Sequence, residues 1–233
     1  MNQKLGCNSL KMYTRSGAYP PGIKTSLESD SHKWILKNFS SLNSNLKLEY
    51  KSLTKEDIPE IRNLHKEWFP VSYSENFFEE IGGSLSSVAA VINPKDYGDY
   101  STNHSVICGS ILFKITDQKN PKFHNTCYIS TFGVVEALRG KGIAKELILE
   151  CKRVCRSYSV TQMSLNVITY NTQAIKFYEK IGFTKSRTKS NHYLIEGETF
   201  DAFEYVYFLR RQSNISFFVK SFLPKYIKSI FNA

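Results

Sequence analysis

Apolar positions recur regularly along the chain only after Leu46. Leu46, Leu48 and Tyr50 alternate with polar residues as a strand does. Thr54-Lys55-Glu56-Asp57 then supplies an N-cap and first-turn acids, and Ile58, Ile61, Leu64, His65 and Trp68 follow at helical spacing. Pro70 ends that helix, because it disfavours helical backbone at Phe69. A short helix is expected over residues 76–81. Residues 87–92, 106–115 and 126–135 are β-branched or aromatic runs between polar stretches and predict three successive strands. Residues 142–158 predict a helix with Ile143, Leu147, Ile148, Cys151, Val154 and Cys155 as its apolar stripe. A strand over 163–168, a helix over 172–180 closed by Gly182, and a last strand over 200–209 complete the pattern. This order predicts an α/β (α+β) fold with a mixed central sheet flanked by helices.

The two ends differ from this middle. Residues 1–45 are rich in Ser, Asn and Lys, contain Pro20-Pro21-Gly22 and hold no sustained period, so they read as a flexible basic arm. They have no apolar stretch of the secretory kind, and a transit-peptide reading is only weakly permitted. Residues 46–209 form the expected domain and 210–233 a basic amphipathic segment. In that segment Ile215, Phe218, Val219, Phe222, Leu223, Tyr226, Ile227, Ile230 and Phe231 recur at helical spacing, with Lys220, Lys225 and Lys228 largely opposite and Pro224 as a kink. Acid-free and aromatic, it suits an anionic membrane surface; the alternative is a helix docked on the domain itself.

Composition changes the picture in two respects. With 41% hydrophobic residues and 233 positions, the chain is long enough for one sizeable core, and no apolar run is long enough to cross a membrane. The net charge of +10 lies in the ends, while the middle is balanced, which argues against a nucleic-acid-binding core. The five cysteines have neither C-x-x-C nor zinc-type spacing, so a reducing compartment and no metal are expected.

The chemistry concentrates where the strand predicted over 126–135 runs into Arg139-Gly140-Lys141-Gly142-Ile143-Ala144 and a strong helix. Glycines let backbone approach a phosphate, the helix N-terminus faces it with unpaired N–H groups, and Arg139, Lys141 and Lys145 add charge. Strict alternation along the strand would put Tyr128, Ser130 and Phe132 on one face, with Ile129 and Thr131 on the other. On residue type alone Tyr128 is a β-favouring aromatic and His192 a loop-surface histidine.

The strand, the R-x-x-G-x-A loop and the downstream Asn171-x-x-Ala174-x-x-Phe177-Tyr178-x-x-x-Gly182-Phe183 together resemble the GNAT superfamily of acetyl-CoA-dependent N-acetyltransferases over roughly residues 46–209. The resemblance implies a GNAT fold and a coenzyme site at Phe132, Gly133, Val134, Arg139, Gly140, Lys141, Gly142, Ile143, Ala144, Lys145, Asn171 and Tyr178. Within the superfamily the chain looks like the protein N-terminal acetyltransferases NatF and NatE. Trp68 before Phe69-Pro70-Val71-Ser72-Tyr73 resembles their peptide-gripping loop, Tyr128 their catalytic tyrosine, and Asn191-His192-Tyr193 a second peptide-covering loop. By resemblance the peptide site comprises Phe69, Pro70, Val71, Tyr73, Ser130, His192 and Tyr193. The implied reaction is transfer of acetyl from acetyl-CoA to a free protein amino terminus, typically Met before a hydrophobic or other non-small residue, without a covalent enzyme intermediate. The basic tail implies the NatF kind, attached to the cytosolic face of Golgi membranes; a cytoplasmic protein is the alternative.

One position departs from the family. Where NatE and NatF carry a histidine in an L-H-V context, this chain has Leu165-Asn166-Val167, and an amide holds a water but takes up no proton. The catalytic pair expected here is Tyr128 and Asn166, working through water with Tyr73 or His192 assisting. The alternatives are a catalytically impaired module that binds coenzyme A or N-termini, and a lysine or small-amine acetyltransferase.

Overall fold

The computed structural model describes residues 29–69, 73–116, 125–195 and 197–209. Residues 1–28, which include the Pro20-Pro21-Gly22 stretch, and the amphipathic 210–233 lie outside the described residues, as do Pro70 and Val71.

Seven strands form one sheet in the order β1-β2-β3-β4-β5-β7-β6. They are β1 (Glu49–Lys51), β2 (Ser86–Ile92), β3 (Val106–Thr116), β4 (Asn125–Val134), β5 (Val160–Ile168), β6 (Thr184–Ile195) and β7 (Glu198–Phe208). All neighbours are antiparallel except β4 and β5, which run parallel because α5 (Ile143–Ser157) carries the chain back between them. Helices α1 (Asp30–Lys37), α2 (Phe39–Ser44), α3 (Ile58–Trp68), α4 (Glu75–Glu79) and α6 (Thr172–Lys180) complete the described fold. The mixed sheet with flanking helices matches the expected fold class.

Residues 29–45 are not part of a flexible arm. Ser29 caps α1, and Ile35 and Leu42 are fully buried. The inner face of α1 is otherwise polar, and that hid it from a periodicity reading. Ser31 Oγ accepts from the Ile107 N–H at 2.9 Å, and His32 Nδ1 meets Glu67 Oε2 at 2.7 Å in a buried pair. His32, assigned no role from sequence, therefore ties α1 to α3; leaving one buried partner of such a hydrogen bond unsatisfied typically costs about 1–3 kcal/mol.

The single strand expected near the end is a hairpin. β6 is an edge strand whose outer run, Thr-Lys-Ser-Arg-Thr-Lys-Ser, is exposed except for the half-buried Lys189 and carries no apolar signal. Arg187 and Lys189 pair with Glu204 of β7, an edge protected by charge. Asn191-His192-Tyr193 consequently sits within β6, not in a separate loop.

The largest correction concerns β4. Leu112 pairs with Thr131 and Phe113 with Ile129, so Ser130 is an extra residue, a bulge. Cross-strand partners share a face, so Tyr128, Thr131 and Gly133 lie on one side, and Ile129, Phe132 and Val134 on the other. The contacts agree: Thr131 and Gly133 meet His65 and Trp68 of α3, while Phe132 meets Phe177 and Tyr178 of α6. Tyr128 and Phe132 therefore do not share a face.

Cys127, Cys151 and Cys155 gather in the buried contact between β4 and α5, their sulfurs within 4.8 Å of one another; the lowering of the Cys127 thiol by Cys151 is outweighed by its hydrogen bond with Cys155 and by burial, so it is pushed up, and burial pushes the Cys151 thiol up.

Candidate functional site

β4 and β5 pair only from Asn125 to Tyr128 and from Val160 to Ser164, then separate. The parting opens the sheet, and two different surfaces meet there.

The first is a cavity of about 370 Å³ between the end of β4, the start of α5 and one face of α6. Of the residues expected to hold the coenzyme, Phe132, Gly133, Val134, Arg139, Gly140, Gly142, Ile143, Ala144 and Lys145 line it. Gly140 and Gly142 have φ of +79° and +85°, and a Cβ added at either would meet nothing within 4 Å. The loop thus curls in left-handed backbone and leaves open space before a helix start that no side chain caps. Such a bare N-terminus, with the helix dipole behind it, favours a phosphate. Arg139 is held to the strand end by its Nε–H donating to the Val134 carbonyl at 3.1 Å.

Three predicted coenzyme residues do not line this cavity. Lys141 points away, its Nζ donating to Asn43 Oδ1 at 2.7 Å. Asn171 caps α6, its Oδ1 accepting from the Ala174 N–H at 3.1 Å. Tyr178 is buried, and desolvation, helped by Tyr128, raises its pKa well above the ordinary value. Trp68, Leu138, Gln173, Ala174, Phe177, Lys180 and Ile181 line the cavity instead or in addition. The signal for the α6 group is the spacing Gln173, Phe177, Lys180, one face of one helix.

Gly133 explains how α3 reaches this cavity. A Cβ there would lie 2.3 Å from Trp68 Cε3, so the indole rests directly on the β4 backbone. Behind Trp68, the buried His65 donates from Nδ1 to the Ile61 carbonyl at 2.8 Å and accepts at Nε2 from the Thr131 hydroxyl at 3.1 Å. Burial lowers its pKa to about 4, so it is neutral at pH 7 and acts as a strut between α3 and β4. Phe69, which lines the cavity, and Tyr73 pack around His65 with Phe77 and Phe78.

The second surface is polar. Asn166 Nδ2, on a side chain 4% exposed, donates to the Tyr128 hydroxyl oxygen at 3.0 Å and contacts His192 Nε2 at 3.1 Å. Three strands thus bring together a phenol, an amide and an imidazole, and Tyr193 packs edge-on against the imidazole. Ser130, at the bulge, is buried. Tyr73 does not join this cluster. Its hydroxyl is buried with no hydrogen-bond partner among the described residues, and burial, then Tyr193 and Tyr128, raise its pKa. A phenol in that position is a poor proton acceptor, so of the two expected helpers the geometry retains His192.

Comparison with known proteins identifies the family. The model of the acetyltransferase (GNAT) family matches residues 58–183. The chain is similar to histone acetyltransferase MCC1 of Arabidopsis thaliana, at 30% identity over 200 residues, 78% of this chain and 81% of that protein. It is 27% identical to N-alpha-acetyltransferase 60 of Xenopus tropicalis over 175 residues, 67% of this chain and 68% of the relative. Among solved structures it resembles Arabidopsis thaliana NAA60 in complex with acetyl-CoA, with a TM-score of 0.62 and 29% identity, covering 70% of this chain and 99% of that one.

Proposed function

The chain belongs to the acetyltransferase (GNAT) family and is an acetyl-CoA-dependent N-acetyltransferase, and on that premise we propose that its acceptor is the free amino terminus of a protein, typically Met before a hydrophobic or other non-small residue. The observation that carries this reading is the Tyr128–Asn166 hydrogen bond at the parting of β4 and β5, next along the strand from the cavity. The similarity to N-alpha-acetyltransferase 60 and to NAA60 supports it.

The residues present fit the coenzyme. The backbone N–H groups at the start of α5 and the open curve at Gly140 and Gly142 would hold its pyrophosphate, with Arg139, Lys145 and Lys180 adding positive charge. The apolar wall of Phe132, Phe177 and Trp68 would hold its less polar arm and exclude water. Bound there, acetyl-CoA would supply an acyl carbon activated as a thioester, with its thiol as the leaving group that takes up the proton shed by the amine. The protein must first remove a proton from an α-ammonium group whose ordinary pKa is about 8. Tyr128 and its partners lie at the sheet opening where that proton is lost. Phe69 and Tyr73, which pack together, with Tyr193 near Tyr73, would form aromatic walls for the first side chain of the peptide.

The 30% identity to a histone acetyltransferase favours a second reading, transfer to lysine. Turnover on peptides with a free terminus, a blocked terminus, or a lysine as sole amine separates the two. Acetylation of free Met-hydrophobic termini is expected, and modification confined to lysine would replace this reading by the second.

We also propose that residues 214–233 attach the protein peripherally to a cytosol-facing membrane, as Golgi attachment in the NatF kind suggests. Their basic and aromatic residues, without acids, support this, and no helix among the described residues is long and apolar enough to cross a membrane. Deleting Asn214 to Ala233 should abolish co-sedimentation with anionic liposomes; undiminished sedimentation would refute the anchor.

A further inference from the structure

β6 does not run regularly past His192. Lys189 pairs with Ala202 and Tyr193 with Phe200, so four steps on β6 face two on β7. The two extra residues are accommodated by Asn191 in left-handed backbone, φ +50°, rare for a residue with a side chain. Both polar ends of Asn191 are fastened: its N–H donates to Asp201 Oδ1 at 2.9 Å, and its Oδ1 accepts from the Thr199 hydroxyl at 2.9 Å. The consequence of this strained, clamped bulge is to turn the next residue, His192, onto Asn166.

We infer that His192 is the catalytic base that takes the proton from the acceptor amine, with Asn166 and Asn191 as the positioning residues that hold it there. This rests on the acetyl-transfer reading above. The amide of Asn166 has two N–H bonds on one nitrogen, directed to the Tyr128 oxygen and to His192 Nε2. A nitrogen that accepts from an N–H carries a lone pair, so His192 keeps its own proton on Nδ1 and presents Nε2 as a base. In the step, the ammonium displaces the Asn166 N–H from the single Nε2 lone pair, one N–H bond of R–NH3⁺ breaks, its electron pair stays on the nitrogen as the nucleophile, and Nε2 forms the new N–H bond; the partly exposed ring then releases the proton to water. Asn166 accommodates both states. Its Oδ1 is buried with no hydrogen-bond partner among the described residues, and a half-turn of the amide presents it to a protonated Nε2. The groups around the imidazole are Tyr128 and Asn166 from β4 and β5, Tyr193 on its own strand and Tyr73 beyond these, with Asp201 engaged by the Asn191 N–H.

The test compares full-length wild type, His192→Gln, Asn191→Val and the double variant His192→Gln/Asn166→His. The measurements are kcat/KM against pH on a free-terminus peptide, coenzyme A binding by calorimetry, and ¹⁵N shifts of the histidine rings without ligand. His192→Gln should lower kcat/KM at pH 7 about 100-fold, with a profile that follows only the amine's own deprotonation and unchanged coenzyme A affinity. Restoring an imidazole from β5 in the double variant should recover most of the loss. Asn191→Val, which resists left-handed backbone, should lower kcat, and the wild-type ring should show Nδ1–H with Nε2 bare. A His192→Gln enzyme within threefold of wild type with the same pH profile, or a wild-type ring protonated at Nε2, would overturn the assignment. Wild type that turns over while His192→Gln is unaffected removes this inference alone; wild type that binds coenzyme A and acetylates no free terminus removes the underlying reading with it.

Discussion

The two ends of the cleft are made of different materials. At the coenzyme end, nearly everything comes from one continuous stretch, Phe132 to Lys145, and from one face of α6, and the anion site is backbone: a bare helix start and a loop in left-handed conformation. At the acceptor end, one side chain comes from each of three strands, with Tyr128 and Asn166 separated by 38 positions and Asn166 and His192 by 26. A backbone site depends on conformation and tolerates many side chains. A side-chain site depends on single atoms and on the long-range packing that brings them together. The difference explains how the chain can keep an acetyltransferase's loop motif while carrying Asn166 where the pattern it resembles implies histidine.

The largest expected effect breaks the acceptor end alone. Tyr128→Phe removes one oxygen, the atom to which Asn166 donates, and should lower kcat at least about 100-fold while coenzyme A affinity stays within about twofold. If kcat instead stayed within a factor of three, the chemistry would have to lie outside this cluster.

Next comes the strut that holds the acceptor end to α3. The unfolded chain protonates His65 near its ordinary 6.5, but the folded protein resists until about 4, so between these values the unfolded state binds more proton. Stability should therefore be complete above pH 6.5 and fall by about 3 kcal/mol as the pH drops toward 4. Urea midpoints across that window, with a flatter dependence in His65→Phe, provide the check; equal slopes in both proteins would deny the strut its role.

A smaller effect should link the two ends. Gly133→Ala pushes against the Trp68 indole and should cost about 1–3 kcal/mol of stability and weaken coenzyme A binding, since Trp68 also lines the cavity. Pairing it with Trp68→Leu should recover part of the stability, and a double variant no more stable than Gly133→Ala would show that the clash lies elsewhere.

The smallest effect belongs to the coenzyme end's side chains. Lys180→Ala should weaken coenzyme A binding only a few-fold, less so at high salt, with kcat unchanged. A loss of more than about 30-fold by calorimetry would mean that the anion site relies on side-chain charge more than on backbone.

Legibility in the sequence followed the same division. The helix starting after Gly142 and the cavity residues beside it could be read because the signal is local: glycines, a strand end and an apolar stripe, all within a few turns. The α1 helix could not, because beside Ile35 its buried face is Ser31 and His32, whose partners Ile107 and Glu67 are distant in sequence. β6 was hidden because an edge strand needs no apolar alternation. Tyr128 was legible as a residue, but its surroundings were misjudged. Strict alternation assigned Phe132 to its face, and the bulge at Ser130 reversed every position after it.

The sequence alone determined the order of the elements around the site, the phosphate-suited loop at Arg139 to Ala144, and the family to which they belong, because those depend on short-range sterics and helix periodicity. Tertiary structure decided what chemistry stands opposite the loop. The bulge in β4, the parting of β4 from β5 and the clamped bulge in β6 are properties of strand pairing, set by partners dozens of residues away. Only in the folded sheet do Tyr128, Asn166 and His192 come within hydrogen-bond reach.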